Sequence, residues 1–211
     1  PEKNKQNPLG FPCAMKLFLV RHGETAWTAV QRYQGLTDIP LNRRGREQAK
    51  AVARALKKER PARLYVSALK RAKETAELIG RRLGLKPVIE PRLNEIDFGK
   101  WEGAYYRRLP RLAGKQFDLW EKGALKKPPG GESIVSLNKR VGRFLNDIIK
   151  RHSKETIIVV SHGGPIKMLL FRLLNSRCSI WSLRVDPASI SLVEGNPRLF
   201  QIVCINRTDH L

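Results

Sequence analysis

Short apolar runs typical of β-strands alternate with amphipathic helical segments along most of this chain. Residues 15–20 and 156–161 are hydrophobic almost throughout, which is the pattern of strands buried on both faces of a parallel sheet. Strands that alternate with helices favour a three-layer α/β/α sandwich. The sheet should be mainly parallel, with an antiparallel strand at one edge. We predict strands at 15–20, 64–67, 88–90 and 156–161, a hairpin of 189–194 with 199–206, and helices over 42–58, 69–83, 133–151 and 163–174.

Length and composition are those of one ordinary globular domain. The chain has 211 residues, of which 41% are hydrophobic and 28% charged. No apolar run approaches the ~20 residues that cross a bilayer. Residues 1–14 are polar and contain three prolines, without the apolar core of a signal peptide. We expect them to form a flexible extension before a single domain at 15–211, in which the glycine- and proline-rich stretch 91–132 is a lid-like insertion.

The charge balance is strongly basic. Lys and Arg number 41 against 19 Asp and Glu, a formal net charge of +22. Such an excess attracts anions, so nucleic acid, anionic lipid and phosphorylated small molecules are all candidate partners.

Cysteine and histidine usage bears on redox compartment and metal binding. The three cysteines, Cys13, Cys178 and Cys204, form no Cys-x-x-Cys pair, which favours free thiols in a reducing cytoplasm. The four histidines form no His-x-x-x-His or Cys/His cluster, so we expect no metal site.

Two segments share one architecture: a buried strand that ends in a polar cluster with His and Gly. They are FLVRHGET at 18–25 and IVVSHGGP at 158–165. Functional sites of parallel α/β sheets form at the carboxyl ends of the strands, so both clusters should lie at one edge. A third strand leads to Ser67 and Arg71 at the same edge. Arg21, His22, Arg71 and His162 should therefore converge.

These residue types suit phosphoryl transfer. The forked donors of arginine match phosphate oxygens, and an imidazole can attack phosphorus and carry the phosphoryl group. Cations around the nucleophile would spread the charge of the transition state.

Motifs along nearly the whole chain resemble one family. They are RHGET, YQGLTDIPLNRRGREQA, SALKRAKETA, LNEIDFGKWEG, VSHGG and the ending NRTDHL. Together they resemble the histidine phosphatase superfamily, the phosphoglycerate-mutase-like proteins. RHG alone is a weak match, but the ordered set is specific.

The resemblance implies roles for individual residues. His22 would be the nucleophile and form a phosphohistidine, and His162 would act with Arg21 and Arg71 in binding the phosphoryl group. Glu95 would donate a proton to the leaving oxygen, with Asp97 and Glu102 as nearby competitors for that role. The backbone at Gly163 would add a phosphate contact. Thr28 stands where mutase-like members often have Asn, so its substrate contact would have a shorter reach. No metal or other cofactor is implied.

Other conspicuous residues have plainer interpretations. Trp101, Tyr105 and Trp120 could line a pocket for the leaving group, although aromatic residues in an insertion more often simply pack. His152 fits the end of a helix, and His210 is assigned no role. Arg43, Arg44 and Arg46 fit a solvated helix face.

The motifs look most like the small phosphatase branch, because only about 40 residues separate Glu95 from the helix at Ser133. That branch includes α-ribazole-phosphate, sugar-phosphate and phosphoserine phosphatases. We expect a metal-independent phosphomonoesterase for a small phosphorylated metabolite, with α-ribazole 5'-phosphate as the leading specific substrate. A mutase, a protein phosphatase for phosphohistidine or phosphotyrosine, and a non-enzymatic module that binds nucleic acid are the alternatives. We expect no membrane partner and only incidental electrostatic binding of nucleic acid; the oligomeric state is left open.

Overall fold

Six strands form one sheet in the computed structural model, which describes residues 15–121, 127–176, 182–197 and 199–211. The order is β3-β2-β4-β1-β5-β6. β1, β2, β3 and β4 run parallel, whereas β5 pairs antiparallel with β1 and β6 antiparallel with β5. The bounds are β1 Met15–Arg21, β2 Arg63–Val66, β3 Val88–Ile89, β4 Thr156–Ser161, β5 Ile190–Asn196 and β6 Leu199–Arg207. The predicted parallel sheet with an antiparallel hairpin at one edge is confirmed.

Helices cover both faces of this sheet. They are α1 Ala26–Ala29, α2 Arg43–Leu56, α3 Lys70–Leu83, α4 Leu109–Ala113, α5 Lys115–Glu121, α6 Ile134–Arg151 and α7 Gly163–Leu173. Side chains of a strand alternate between faces. Accordingly, Phe18 and Val20 pack with α2 and α3, whereas Leu17 and Leu19 pack with α6 and α7. The sandwich therefore has the three predicted layers.

Helix starts follow the local sequence. The side chain of Asn42 accepts a hydrogen bond from Gly45 N and caps α2, and Ser133 caps α6 in the same way through Ser136 N. α3 ends at Gly84, whose φ of +70° is the left-handed C-cap conformation. α6 is the longest described helix, and none of the described helices has the length and apolarity that crossing a bilayer requires.

The insertion after β3 contains 3-10 turns at Pro91–Leu93 and Gly99–Trp101, followed by α4 and α5. Its large apolar residues Trp101, Phe117 and Trp120 are buried in the same core as α6 and α7. Movement of this segment as a lid stays a prediction. The expected extension at 1–14, with Cys13, and Cys178 lie outside the described residues, and Cys204 is a free thiol.

Candidate active site

The register of the two central strands brings the predicted histidines together. Arg21 at the end of β1 pairs with Ser161 at the end of β4, and His22 N donates to Ser161 O at 2.9 Å. The residues that follow each strand are therefore neighbours: the rings of His22 and His162 lie 5.0 Å apart between centroids. We call this edge of the sheet, at the carboxyl ends of β1, β2 and β4, the rim.

His22 is held as a buried, neutral ring. Its ring is 1% exposed, and Nδ1 lies 2.7 Å from Gly23 O. Because a carbonyl oxygen can only accept, Nδ1 carries the proton and the lone pair is on Nε2. Burial, then the charges of Arg71 and Arg21, hold the pKa of His22 well below the usual 6.5. The imidazole thus keeps its nucleophilic lone pair at neutral pH.

His162 belongs to a buried hydrogen-bond chain. Its Nδ1 accepts from Arg71 Nε at 3.2 Å, so in the neutral ring Nε2 donates to Ser67 Oγ at 2.7 Å. Ser67 Oγ in turn donates to Asn94 Oδ1 at 2.9 Å. Burial and the charge of Arg71 lower the pKa of His162 well below its usual value. The chain fixes the tautomer and orientation of the ring.

Arg71 is a fully buried cation in the first turn of α3. Its Nη1 donates to Thr37 O at 2.9 Å and its Nη2 to Gly35 O at 2.7 Å. Burial lowers the pKa of Arg71 to about 10, so it stays charged at neutral pH. With the bond from Nε to His162, these contacts use three of the five N–H groups of the guanidinium.

Arg21 and Glu95 line a cavity of about 670 Å³ beside the buried histidines. Arg21 Nη1 donates to Val185 O at 2.6 Å. The Oε1 atom of Glu95 accepts from the backbone N of Ile96 and of Gly164, each at 3.0 Å. Gly163 also lines the cavity and begins α7, so its N–H is at a helix N-terminus that favours anions.

The competitors of Glu95 have other contacts. Asp97 Oδ1 accepts from Gly99 N at 2.7 Å in a tight turn. Glu102 accepts from the backbone of Leu36 and Thr37 and from the Thr37 hydroxyl, which fixes the loop that holds Arg71. Glu95 is thus the carboxylate that both lines the cavity and approaches α7.

Thr28 is occupied in a helix cap. Its Oγ1 accepts from Thr25 N at 2.8 Å, while Thr28 N donates to Thr25 Oγ1, which forms a reciprocal capping box for α1. A direct substrate contact from Thr28 gains no support from this arrangement and stays a prediction.

The cavity has an aromatic wall. Of the aromatic residues considered in the sequence, Trp120 lines it, whereas Trp101 packs in the core against Trp120 and Tyr105 stacks on Arg32. The wall is formed by Tyr33, Phe98, Tyr106, Phe117 and Trp120.

Sequence reasoning missed Tyr106 and Lys167, which both line the cavity. Burial raises the pKa of Tyr106, with a smaller opposing effect of Arg21, so its hydroxyl is a proton donor at neutral pH. Tyr106 lies in an irregular segment that gives no periodic signal. Lys167 lies one helical turn after Gly163, and that spacing could have revealed it.

Comparisons with known proteins show the family of this chain. The model of the histidine phosphatase superfamily, branch 1, matches residues 17–208. This chain belongs to the histidine phosphatase superfamily. The match covers nearly all of the chain, and the fold is of the predicted phosphoglycerate-mutase-like kind.

Individual relatives of this histidine phosphatase are enzymes with different named substrates. It is 39% identical to phosphoserine phosphatase 1 of Hydrogenobacter thermophilus over 93% of this chain and 94% of that protein. It is 32% identical to the adenosylcobalamin/alpha-ribazole phosphatase of Salmonella typhimurium over 86% of this chain and 92% of that protein. A mycobacterial glucosyl-3-phosphoglycerate phosphatase, solved with VO3, superposes with a TM-score of 0.83 at 30% identity, covering 92% of this chain and 99% of that one.

The family and these relatives identify the chain as a phosphatase. Within the described residues, no group of three or more His, Cys, Asp or Glu side chains is arranged to hold a metal ion.

Proposed function

We propose that this protein hydrolyses the phosphate monoester of a small metabolite through a phosphohistidine intermediate. The observation that carries the proposal is the geometry of the rim: a buried neutral His22 with its lone pair on Nε2, beside two arginines and His162. Nε2 would attack phosphorus while the P–O bond to the alcohol breaks. Arg21, Arg71 and the N–H of Gly163 would bind the phosphoryl oxygens, and His162 would join them by exchanging its Nε2–H bond to Ser67 Oγ for one to the ligand.

Glu95 would act twice. As an acid it would give its proton to the leaving alcohol oxygen; as a carboxylate it would then take a proton from the water that attacks the phosphohistidine. Hydrolysis of the N–P bond returns His22 with its lone pair and leaves Glu95 protonated again. All the reacting groups come from the protein, the ester and water, so the cycle needs no metal or primer.

The leaving group would occupy the aromatic part of the cavity. A cavity of about 670 Å³ with an aromatic wall is much larger than the serine leaving group of phosphoserine needs. It suits a large planar alcohol. This favours α-ribazole 5'-phosphate as the specific substrate over phosphoserine, although relatives are named for both. We propose a cytoplasmic enzyme, in keeping with its cysteine usage.

The test combines an intermediate trap with a substrate panel. Rapid acid-free quench of the native enzyme should trap a base-stable, acid-labile phosphoryl group on His22, and His22→Ala should lose turnover while keeping its fold. Undiminished hydrolysis by His22→Ala would refute the mechanism. α-Ribazole 5'-phosphate should give a higher kcat/KM than phosphoserine, 3-phosphoglycerate or a phosphotyrosine peptide.

Two further readouts separate the alternatives. Interconversion of 3- and 2-phosphoglycerate faster than phosphate release would favour a mutase. A salt-dependent gel shift with nucleic acid, without phosphatase turnover, would favour the binding module.

A further inference from the structure

Arg140 donates three hydrogen bonds to the segment that carries Glu95. It lies in the second turn of α6, with its side chain 21% exposed. Nη1 donates to Arg92 O at 2.8 Å and to Asn94 O at 2.7 Å, and Nη2 donates to Glu95 O at 3.0 Å.

The remaining donors of Arg140 hold Glu132. Nε donates to Oε1 of Glu132 at 2.8 Å and Nη2 to Oε2 at 2.7 Å, a bidentate pair. All five N–H groups of the guanidinium are therefore engaged. A flexible side chain is fixed at one end by Glu132 and at the other by three backbone carbonyl groups.

Only the first half of the segment held in this way has the hydrogen bonds of regular structure, in the 3-10 turn Pro91–Leu93. Residues 95–98 belong to neither a helix nor a strand. On its inner side, Ser161 Oγ donates to Leu93 O at 2.7 Å, and the side chain of Asn94 accepts from Ser67 Oγ and Ala68 N. Arg140 supplies a further anchor, at the carbonyl of Glu95 itself.

We propose that Arg140, braced by Glu132, is a positioning residue for the carboxyl group of Glu95; this rests on the proposed acid role of Glu95. The carboxyl group is fixed by two backbone N–H groups through Oε1 only, so its place over the leaving oxygen depends on where the backbone of residues 94 and 95 lies. A displacement of about 1 Å at a reacting group can cost on the order of 100-fold in rate.

The test is Arg140→Lys, which keeps the positive charge near His162 but replaces the planar fork with one ammonium group. Hydrolysis of an alkyl phosphate needs a proton for the leaving alkoxide, whereas p-nitrophenolate leaves with little help. We expect kcat for the alkyl ester to fall by about tenfold or more and that for p-nitrophenyl phosphate by less than about threefold, with KM nearly unchanged.

Asp147→Asn is the matched control. Asp147 also connects α6 to this segment, through a 2.7 Å bond from Arg92, but touches none of the carbonyl groups at 94 and 95. The Asp147→Asn variant should keep the native ratio of kcat for the alkyl phosphate to kcat for p-nitrophenyl phosphate. Equal losses on both esters in Arg140→Lys, or the same change of ratio in Asp147→Asn, would show a merely structural role and overturn the inference.

A double variant separates this inference from the proposed function. In a Glu95→Gln background, Arg140→Lys should add less than about twofold further loss on the alkyl ester, because the two act through one group. A full additional loss overturns the positioning role. If Glu95→Gln itself slows both esters equally, the acid role fails, and the inference fails with it. If Glu95→Gln is selective for the alkyl ester but Arg140→Lys is not, only the inference fails. Thermal unfolding of each variant, compared with the native enzyme, separates loss of rate from loss of folded protein.

Discussion

His22 and His162 are buried as neutral rings, and this has a consequence for stability as well as for catalysis. Their pKa values are lowered in the folded protein, chiefly by burial. In the unfolded chain each would titrate near pH 6.5. Below that pH the unfolded state binds more protons than the folded state, so acid favours unfolding.

We therefore expect the free energy of unfolding to be fully retained above pH 6.5 and to fall as the pH decreases from 6.5 toward 5. Each histidine can contribute a slope of up to about 1.4 kcal/mol per pH unit. Denaturant unfolding at pH 5, 6, 7 and 8 measures this pH dependence of the free energy of unfolding. Replacing both histidines with Gln should flatten the curve, and an unchanged slope in that double variant would contradict the interpretation.

Two adjacent glycines at the start of α7 differ in their distance from Glu95. A Cβ at Gly164 would lie 2.5 Å from Glu95 Oε1, whereas one at Gly163 would lie 3.8 Å from Oε2. Gly164→Ala should therefore displace the carboxyl group and lower kcat on an alkyl phosphate by about tenfold or more.

Gly163→Ala serves as its control and should stay within about threefold of the native kcat, since alanine at a helix start is tolerated and the backbone N–H is kept. Steady-state kinetics on both variants give the comparison. Similar losses in the two would mean that contact with Glu95 does not explain the requirement for glycine.

Among the elements, the loop 34–37 between α1 and α2 holds the buried Arg71. Gly35 O and Thr37 O accept from Arg71, and Glu102 fixes Leu36 and Thr37 from the other side. Gly35 has a φ of +55°, and a Cβ there would collide with Glu102 Oε1. The carboxylate of Glu102 can approach the loop this closely only because position 35 lacks a side chain.

Glu102→Gln should loosen this loop because an amide cannot accept all the hydrogen bonds that the carboxylate receives. We expect KM for phosphate esters to rise by about tenfold, without a change in the preference between alkyl and p-nitrophenyl leaving groups. Gly35→Ala should have the same effect. A selective loss on alkyl esters would instead give Glu102 a part in proton transfer.

At the scale of the whole molecule, the net charge of +22 can accelerate the encounter with an anionic substrate. Arg43 and Arg44 are exposed at the start of α2, where Arg44 Nη1 lies 3.9 Å from Glu24, two residues after His22. Arg46 is different, because its Nη1 donates to Leu41 O at 2.6 Å and so supports the loop.

If the charge steers substrate, kcat/KM should fall with added salt while kcat changes little, since exposed charges are screened over roughly 10 Å at 0.1 M salt. Arg43→Gln with Arg44→Gln should weaken the salt dependence. Arg81→Gln with Arg82→Gln removes the same charge at the opposite end of α3 and should have less effect. If the salt dependence of kcat/KM is the same in both double variants, the positive charge near the rim does not speed the encounter with substrate.

The sequence alone determined the layers and the position of each strand to within one or two residues at its ends. Continuous apolar runs require burial on both faces, and amphipathic helices must cover them, so the sandwich follows from local pattern. The clusters after β1 and β4 could be placed at one edge by the same argument. The roles of Glu95 and its neighbours came from resemblance, because residues 91–132 carry no regular periodicity.

Tertiary structure alone decided which polar groups share contacts. The hydrogen bonds from His162 to Ser67 and from Ser67 to Asn94 join residues from three different segments of the chain. The hydrogen bonds of Arg140 likewise connect α6 to the backbone of residues 92–95. Only the tertiary structure shows that Glu95 lines the cavity, whereas Asp97 and Glu102 accept hydrogen bonds from the backbone of nearby turns and loops. Hydrogen bonds form between groups that are near in space, and in an irregular segment no period of the sequence specifies where each side chain points.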